Sequence, residues 1–350
     1  MLQSLAIKSG KISQAQENEN DDVDFEFTIR PQHFDEFVGQ ELLKKNLRIF
    51  LSAAKKRGES PEHILLHGPP GLGKTTLAGI IAKAAGGNLK ITSGPAIEKT
   101  GDLAALLTGL EKGDVLFVDE IHRLRTNLEE ILFSAMEDFA IDLVMGKGPG
   151  AKSMRLNLPP FTLIGATTRF GAISGPLRDR FGFLAKLEFY QEKEIEQIAQ
   201  RSAGILHTTI SPAATRVLAQ CSRRTPRIAN RLIKRMRDFA HHNDFQEIGE
   251  QIAQECLHSL GIDHCGLDGA DRSFLQTICQ KFAGGPVGLG TLAAALSEER
   301  ETIEEIIEPF LIQCGFLKRT PNGRVATPAA FAHLQIKLPP ELQDAQGELF

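Results

Sequence analysis

Short apolar runs alternate with longer amphipathic stretches through the first half of this chain. Leu42, Leu43, Leu47, Ile49, Phe50 and Ala53-Ala54 recur at helical spacing and predict a helix from about Glu41 to Lys56. Ile64-Leu65-Leu66, Val115-Leu116-Phe117-Val118 and Phe161–Ala166 are apolar runs of strand length. Thr75–Ala85, Asp102–Leu110 and Leu128–Glu137 read as the helices between them. Strands apolar on both faces, alternating with helices, predict an α/β fold with a parallel sheet covered on each side. Strand signals end after Glu188-Phe189-Tyr190, and helical patterning dominates to about residue 260.

Two stretches break this rhythm. Ile141–Met145 and Met154–Leu158 alternate loosely around Gly146-Lys147-Gly148-Pro149-Gly150, which predicts a β-hairpin over 141–158. Its apolar side chains have no evident core to enter, the pattern of a partner surface. Further on, Asp271–Phe282, Thr291–Leu296 and Thr302–Cys314 predict three helices. They close with extended runs on either side of Pro321-Asn322-Gly323, a hairpin signal, so the unit reads as a winged helix. The expected division is a flexible acidic tail over 1–27, an α/β domain over 28–187 and a helical unit over 188–260. The winged helix takes 261–337 and a C-terminal tail 338–350.

Composition narrows the class only a little. With 350 residues the chain is long enough for two or three domains, each burying its own core. A net charge of −4 means that any nucleic-acid contact must come from a local patch. No apolar stretch approaches the ~20 residues of a membrane span, and the first six residues are too short for a secretory core. Five widely spaced cysteines, odd in number, point to reduced thiols and a cytoplasmic location. Cys256, His258, His264 and Cys265 lack the paired spacing of a zinc site and read as scattered helix and loop residues.

The chemistry is concentrated at strand ends. Gly68-Pro69-Pro70-Gly71-Leu72-Gly73-Lys74-Thr75 fits the phosphate-binding pattern G-x-x-x-x-G-K-[ST] between a predicted strand and helix. Glycines let the backbone amides converge on phosphates, Lys74 suits the β/γ-phosphates, and Thr75 suits Mg²⁺. A nucleoside triphosphate is therefore the expected ligand. Val115–Val118 delivers Asp119 and Glu120, a metal-holding and a water-activating carboxylate, which argues for hydrolysis. Thr167-Thr168-Arg169 ends the next strand, where a hydroxyl can contact the γ-phosphate. Arg178 and Arg180 offer always-charged, bidentate donors suited to phosphoryl charge, or a surface ion pair with Asp179.

Two basic clusters remain. Arg223, Arg224, Arg227, Arg231, Lys234, Arg235 and Arg237 form a run without acidic residues, and Arg227 stands at a helix start where it can reach back to the nucleotide. Lys318, Arg319, Arg324 and Lys337 lie in an acid-free window from Pro309 to Pro340. Arg319 and Arg324 bracket the wing tip and suit phosphates of duplex DNA, with Arg300 a further contact.

With these residues the chain resembles the AAA+ ATPases, and among them the RuvB family of bacterial Holliday-junction branch-migration motors. The resemblance runs from Ile29 to about Leu338. It is most specific in the phosphate loop, in Val118-Asp119-Glu120-Ile121-His122-Arg123-Leu124, in Leu158–Arg169 and in Pro176–Gly182. It implies a P-loop ATPase core, an α-helical lid and a C-terminal winged helix. It also implies hydrolysis of ATP with Mg²⁺ by a homohexameric ring on double-stranded DNA, with RuvA docking at hairpin 141–158 and RuvC in the wider complex.

By the same resemblance Lys74, Thr75 and Thr76, with Gly71 and Gly73, hold the phosphates, and Thr75 and Asp119 the metal. Glu120 and Thr168 complete the catalytic set, Arg180 is the finger acting on a neighbour with Arg178 its alternative, and Arg227 is a second sensor. Ile29, Arg30, Glu137, Asp138, Phe139 and Tyr190 frame the nucleotide, and Arg300, Arg319 and Arg324 contact DNA. Asn322 departs from the family by standing where a basic residue is common in the wing turn, and Arg224 by standing where glycine is usual. A clamp-loader-like or protein-remodelling AAA+ ATPase is the alternative function. The winged helix is what separates the two.

Overall fold

The computed structural model describes residues 28–145 and 152–339. The tail expected over 1–27, the hairpin turn and nearly all of the C-terminal tail lie outside the described residues. The first domain opens with α1 (Glu41–Arg57), β1 (Ile64–His67), α2 (Lys74–Ala85), β2 (Leu89–Ser93), α3 (Thr100–Thr108), β3 (Val115–Asp119) and α4 (Thr126–Asp138). A hairpin of β4 (Ala140–Met145) and β5 (Lys152–Asn157) follows, then β6 (Thr162–Thr167), the single turn α5 (Gly175–Arg178) and β7 (Phe183–Lys186).

Five of these strands form one parallel sheet in the order β2-β3-β6-β1-β7. Alternate side chains of β1 enter different cores: Ile64 and Leu66 pack with Leu77 and Ile81 of α2, whereas Leu65 packs with Leu103 of α3 and Leu128 of α4. The three central strands are the apolar runs legible in the sequence. The two edge strands are not: β2 exposes Ile91 and β7 exposes Leu184, so neither reads as a continuous apolar run. Glu188-Phe189-Tyr190, where strand signals end in the sequence, lies beyond β7 and belongs to no strand.

The hairpin forms as expected. Its strands pair only with each other, in antiparallel register from Ala140↔Asn157 to Met145↔Lys152. Its base is better anchored than the sequence suggests. Ile141 and Leu158 are buried in the core beside α4, and Leu156 packs against it, while Met154 is exposed.

The helical unit comprises α6 (Glu192–Ile205), β8 (Thr209–Ile210), α7 (Pro212–Cys221), α8 (Pro226–His242), β9 (Glu247–Ile248) and α9 (Glu250–Ser259). Ala199, Leu218 and Leu232 of this unit share one core with α2, so lid and sheet pack without a break. In the last unit, α10 (Gly269–Gln276) runs into a π-turn (Thr277–Lys281), followed by α11 (Leu289–Leu296). The third expected helix is composite: α12 (Arg300–Thr302), a π-turn (Ile303–Ile307) and α13 (Glu308–Gln313). Pro309 has no amide hydrogen to give the preceding turn, which accounts for the irregular stretch before it. A wing of β10 (Leu317–Thr320) and β11 (Gly323–Ala326), then α14 (Pro328–His333), completes the unit around Phe274, Leu311 and Phe331.

Candidate functional site

Strands β3, β6 and β1 are adjacent and parallel, so their C-terminal ends bring the acidic pair, the threonines and the phosphate loop to one edge of the sheet. The loop from Gly68 to Lys74 depends on backbone angles that favour glycine. Gly68 has φ +145°, and a Cβ there would lie 2.5 Å from the Leu187 carbonyl oxygen. At Gly71 (φ +79°) a Cβ would come 3.2 Å from Cβ of Arg227, so the loop also touches the lid. Lys74 is buried, and its Nζ donates to the carbonyl oxygens of Gly68 (2.8 Å) and Pro69 (2.9 Å). Burial pulls this ammonium down to about 8, against the opposing pull of Asp119 and Glu120. A phosphate would give it a charged partner in place of two neutral carbonyls. Thr75 and Thr76 follow in the first turn of α2, where amide donors and the helix dipole favour an anion.

Asp119 ends β3, and its Oδ1 accepts from the Glu120 amide at 2.9 Å. Glu120 itself is left-handed (φ 47°), with Oε2 3.0 Å from Nη1 of Arg123. The two threonines after β6 differ sharply. Oγ1 of Thr167 lies 3.0 Å from Nδ1 of His122 and accepts from the Arg169 amide at 2.9 Å. Oγ1 of Thr168 is buried and has no hydrogen-bond partner among the described residues. An unsatisfied buried hydroxyl costs about 1–3 kcal/mol, so a ligand oxygen beside it would be stabilising.

Thr168 opens on a cavity of about 290 Å³ lined by His67, the Gly68-Pro69-Pro70 stretch and Arg169 on one side. Glu304, Glu305, Pro309 and Arg319 of the winged helix line the other. An ion pair of 2.6 Å between Nε of Arg169 and Oε1 of Glu305 ties the two sides together. The sequence does not reveal this contact. Arg169 directly follows the Thr167-Thr168 pair, but nothing local points to its partner.

A second, narrower cavity lies against Gly73 and Thr76 and is lined by Ile29, Arg30, Phe37, Val38 and Tyr190 among others. Apolar side chains (Ile29, Phe37, Val38, Ile198) beside polar ones (Arg30, Glu36, Asn230) offer a base both a surface to pack on and hydrogen-bond partners. Tyr190 is buried and its hydroxyl donates to the Leu72 carbonyl at 3.2 Å; burial pushes its phenol well up. Arg224 holds Tyr190 through both backbone and side chain. The Arg227 amide donates to the Gly71 carbonyl at 3.3 Å. Ile29, Arg30, Gly71, Gly73, Thr76, Tyr190 and Arg227 are thus gathered around one loop.

Glu137, Asp138 and Phe139 are not among them. Phe139 packs on His63 and Phe161, which precede β1 and β6, so it lies at the opposite end of the sheet. Glu137 pairs with Arg180 (Oε2 to Nη2, 2.9 Å) and Asp138 with Arg155 of the hairpin (2.8 Å). Arg180 precedes β7, whose Phe183 pairs with Ile64 at the start of β1, and its guanidinium covers the Phe133 ring at 4.4 Å. The full length of β1, about 13 Å, separates this group from the phosphate loop. Arg178 is oriented differently, 5.5 Å from the centre of the Phe170 ring, which stacks on His67 at 4.4 Å.

The wing arginines also differ from expectation. Arg319 and Arg324 face each other across β10 and β11, and both converge on Glu308. Arg319 Nη2 lies 2.5 Å from Oε2 and Arg324 Nε 2.6 Å from Oε1, with Arg324 also 3.2 Å from Glu304. Glu308 is fully buried, the Arg324 side chain is 13% exposed and that of Arg319 51% exposed. The acid-free window opens at Pro309, one residue beyond the carboxylate that holds both cations. Arg300 is exposed beside Gly290.

Comparison with known proteins matches the sheet domain, the helical unit and the winged helix. Residues 29–187 match the Holliday junction DNA helicase RuvB P-loop domain, 190–263 the RuvB AAA lid domain and 264–335 the RuvB C-terminal winged helix domain. The chain belongs to the RuvB family. A Holliday junction branch migration complex subunit RuvB from a Nocardioides species is 55% identical over 328 residues, spanning 94% of this chain and 91% of the relative. The solved structure of the Thermotoga maritima RuvB Holliday junction branch migration motor superposes with a TM-score of 0.83 at 49% identity, covering 89% of this chain and 100% of that one. A mutant form of the same Thermotoga protein gives 0.83 at 50% identity, covering 89% and 99%. RuvB family membership fixes the fold: a P-loop α/β core, an AAA lid and a winged helix.

Proposed function

We infer that this RuvB-family chain is an ATP hydrolase that drives branch migration of Holliday junctions, as the names of its Nocardioides and Thermotoga relatives indicate. The observation that carries the reading furthest is the cavity in which the phosphate loop, the unpartnered Thr168 hydroxyl and the wing residue Arg319 meet. It puts the hydrolytic edge of the sheet against the domain expected to hold DNA. A clamp-loader-like or protein-remodelling function is not favoured, because RuvB-specific likeness extends through lid and wing.

Each side chain then has a task. Lys74 exchanges the Gly68 and Pro69 carbonyls for β- and γ-phosphate oxygens. The strand-end carboxylate and the helix-start hydroxyl fit a hard cation, so Thr75 and Asp119 would hold Mg²⁺, which would supply positive charge to the phosphates. Glu120 leaves Arg123 to orient and polarise the attacking water, and Thr168 donates its hydroxyl to the γ-phosphate. Ile29, Arg30 and Tyr190 frame the base, while Arg227 at the start of α8 senses the phosphates from the lid.

Arg180 stands too far from its own phosphate loop to serve it, which supports a finger acting on a neighbouring subunit. Glu137, Asp138 and Phe139 share that end of the sheet and would frame the neighbour's nucleotide with it. Arg178, beside Phe170, sits closer to the protein's own site. The sites are then shared around a homohexameric ring enclosing duplex DNA, with Arg300, Arg319 and Arg324 as the contacts expected on the winged helix. RuvA would dock at hairpin 141–158, where Met154 is exposed, and RuvC would join the wider complex in the cytoplasm. Among the described residues no helix is long and apolar enough to cross a membrane.

The test is a synthetic four-way junction incubated with ATP, Mg²⁺, RuvA and the purified protein. Conversion to the migrated products is expected. Hydrolysis of ATP without any movement of the junction, RuvA being present, would overturn the reading.

A further inference from the structure

The segment joining lid to winged helix brings together three side chains with metal-ligating atoms. One such atom from each of His264, Cys265 and His333 lies within 4.8 Å of the others. His264 and Cys265 sit between α9 and α10, whereas His333 is the last residue of α14. The sequence hides this set, because the third ligand is remote and Cys256, nearer in sequence, is buried within α9.

Two features distinguish the cluster from a chance meeting. Asp263 Oδ2 lies 2.8 Å from Nε2 of His333. A carboxylate accepts the Nε2 hydrogen, so in the metal-bound state Nδ1 is the nitrogen that would face the ion, the outer-shell arrangement that orients metal-bound histidines. Asp263 is itself fixed: its Oδ1 accepts from the amides of Cys265 (2.9 Å) and Leu267 (3.0 Å). Among the described residues, the one other cation paired with it is Arg272, 3.9 Å from Oδ2. The ligand loop is therefore pre-shaped, and the ring of His333 is held between those of Phe316 (4.8 Å) and His264 (5.2 Å).

We propose that His264, Cys265 and His333 bind a borderline divalent metal of the Zn²⁺ class, with Asp263 as the positioning carboxylate. Bond lengths of ~2.0 Å to nitrogen and ~2.3 Å to sulfur set tetrahedral ligand atoms about 3.5 Å apart. Closing from 4.8 Å takes roughly an ångström of side-chain movement, available to the exposed His264. Binding releases the Cys265 thiol proton to solvent, and thiolate and Asp263 together balance the dication. The fourth position is left to water. Such a site would clamp the lid-to-wing segment onto the winged helix, and so fix how the wing sits on the ATPase.

Cobalt(II) is the probe, added to full-length protein stripped of nucleotide and metal. One equivalent should produce the intense visible spectrum of a tetrahedral ion with a thiolate-to-cobalt charge-transfer band, and Zn²⁺ should displace it. Cys265→Ser should remove the charge-transfer band, and His333→Gln should weaken binding at least tenfold. Asp263→Asn should weaken it about 10–100-fold while the band keeps its position. His258→Ala, an exposed change on α9, should leave the spectrum alone. Circular dichroism of each variant establishes that it is folded before titration. No thiolate band in the unaltered protein, or a band that survives Cys265→Ser, would overturn the proposal.

Discussion

Thr167 and Thr168 are neighbours at the end of β6, yet among the described residues only the Thr167 hydroxyl finds a partner. Valine keeps the branched shape of threonine and removes the hydroxyl, so it separates structural from chemical roles. Thr168→Val discards an unpartnered buried donor, and its stability to urea should hold or rise by about 1 kcal/mol. Its steady-state ATP turnover should fall about 10²-fold, the cost of losing one donor to developing charge. Thr167→Val should do the reverse, losing stability with the His122 contact. A destabilised Thr168→Val protein with full turnover would reassign that hydroxyl to structure. The sequence marks the pair but does not rank its members, because the ranking depends on His122, which arrives from the end of another strand.

Elements differ in how far the sequence betrays them, and the reason is burial. Central strands β1, β3 and β6 are apolar on both faces and visible as runs, while edge strands β2 and β7 are half wet and are not. The phosphate loop is legible because its chemistry is local: backbone angles, one lysine and one helix start within a few residues. The wing is legible as a hairpin but not as a charge network, since Glu304 and Glu308 lie on the helix before it. That network divides the two wing arginines. Arg319→Ala removes a half-exposed cation and leaves Arg324 on Glu308, so stability should change by less than about 1 kcal/mol. Duplex affinity should drop, and its dependence on salt should become shallower. Arg324→Ala strips a buried carboxylate of its best-shielded partner and should cost about 3 kcal/mol in thermal or urea unfolding. Equal stability losses from the two substitutions would show that the network does not discriminate between them.

At the scale of the whole molecule, the sheet puts the two halves of the expected chemistry at opposite ends. Lys74, Glu120 and Thr168 gather where the strands finish, and Arg180 with Glu137 where they begin. A head-to-tail contact between copies is the arrangement that brings one end to the other, and repeated around a closed rotation it makes a ring. Lys74→Ala and Arg180→Ala proteins, each alone, should hydrolyse ATP poorly, the first for lack of a phosphate cation and the second for lack of a finger. Mixed in equal amounts and allowed to exchange subunits, they regain sites in which an intact Lys74 meets an intact neighbouring Arg180. Random mixing places that combination at about one site in four. ATPase activity of the mixture should therefore exceed that of either parent, and fall back when subunit exchange is prevented. Activity no higher than the average of the two parents would mean that Arg180 serves its own chain, and that the Glu137 group does not frame a neighbour's nucleotide.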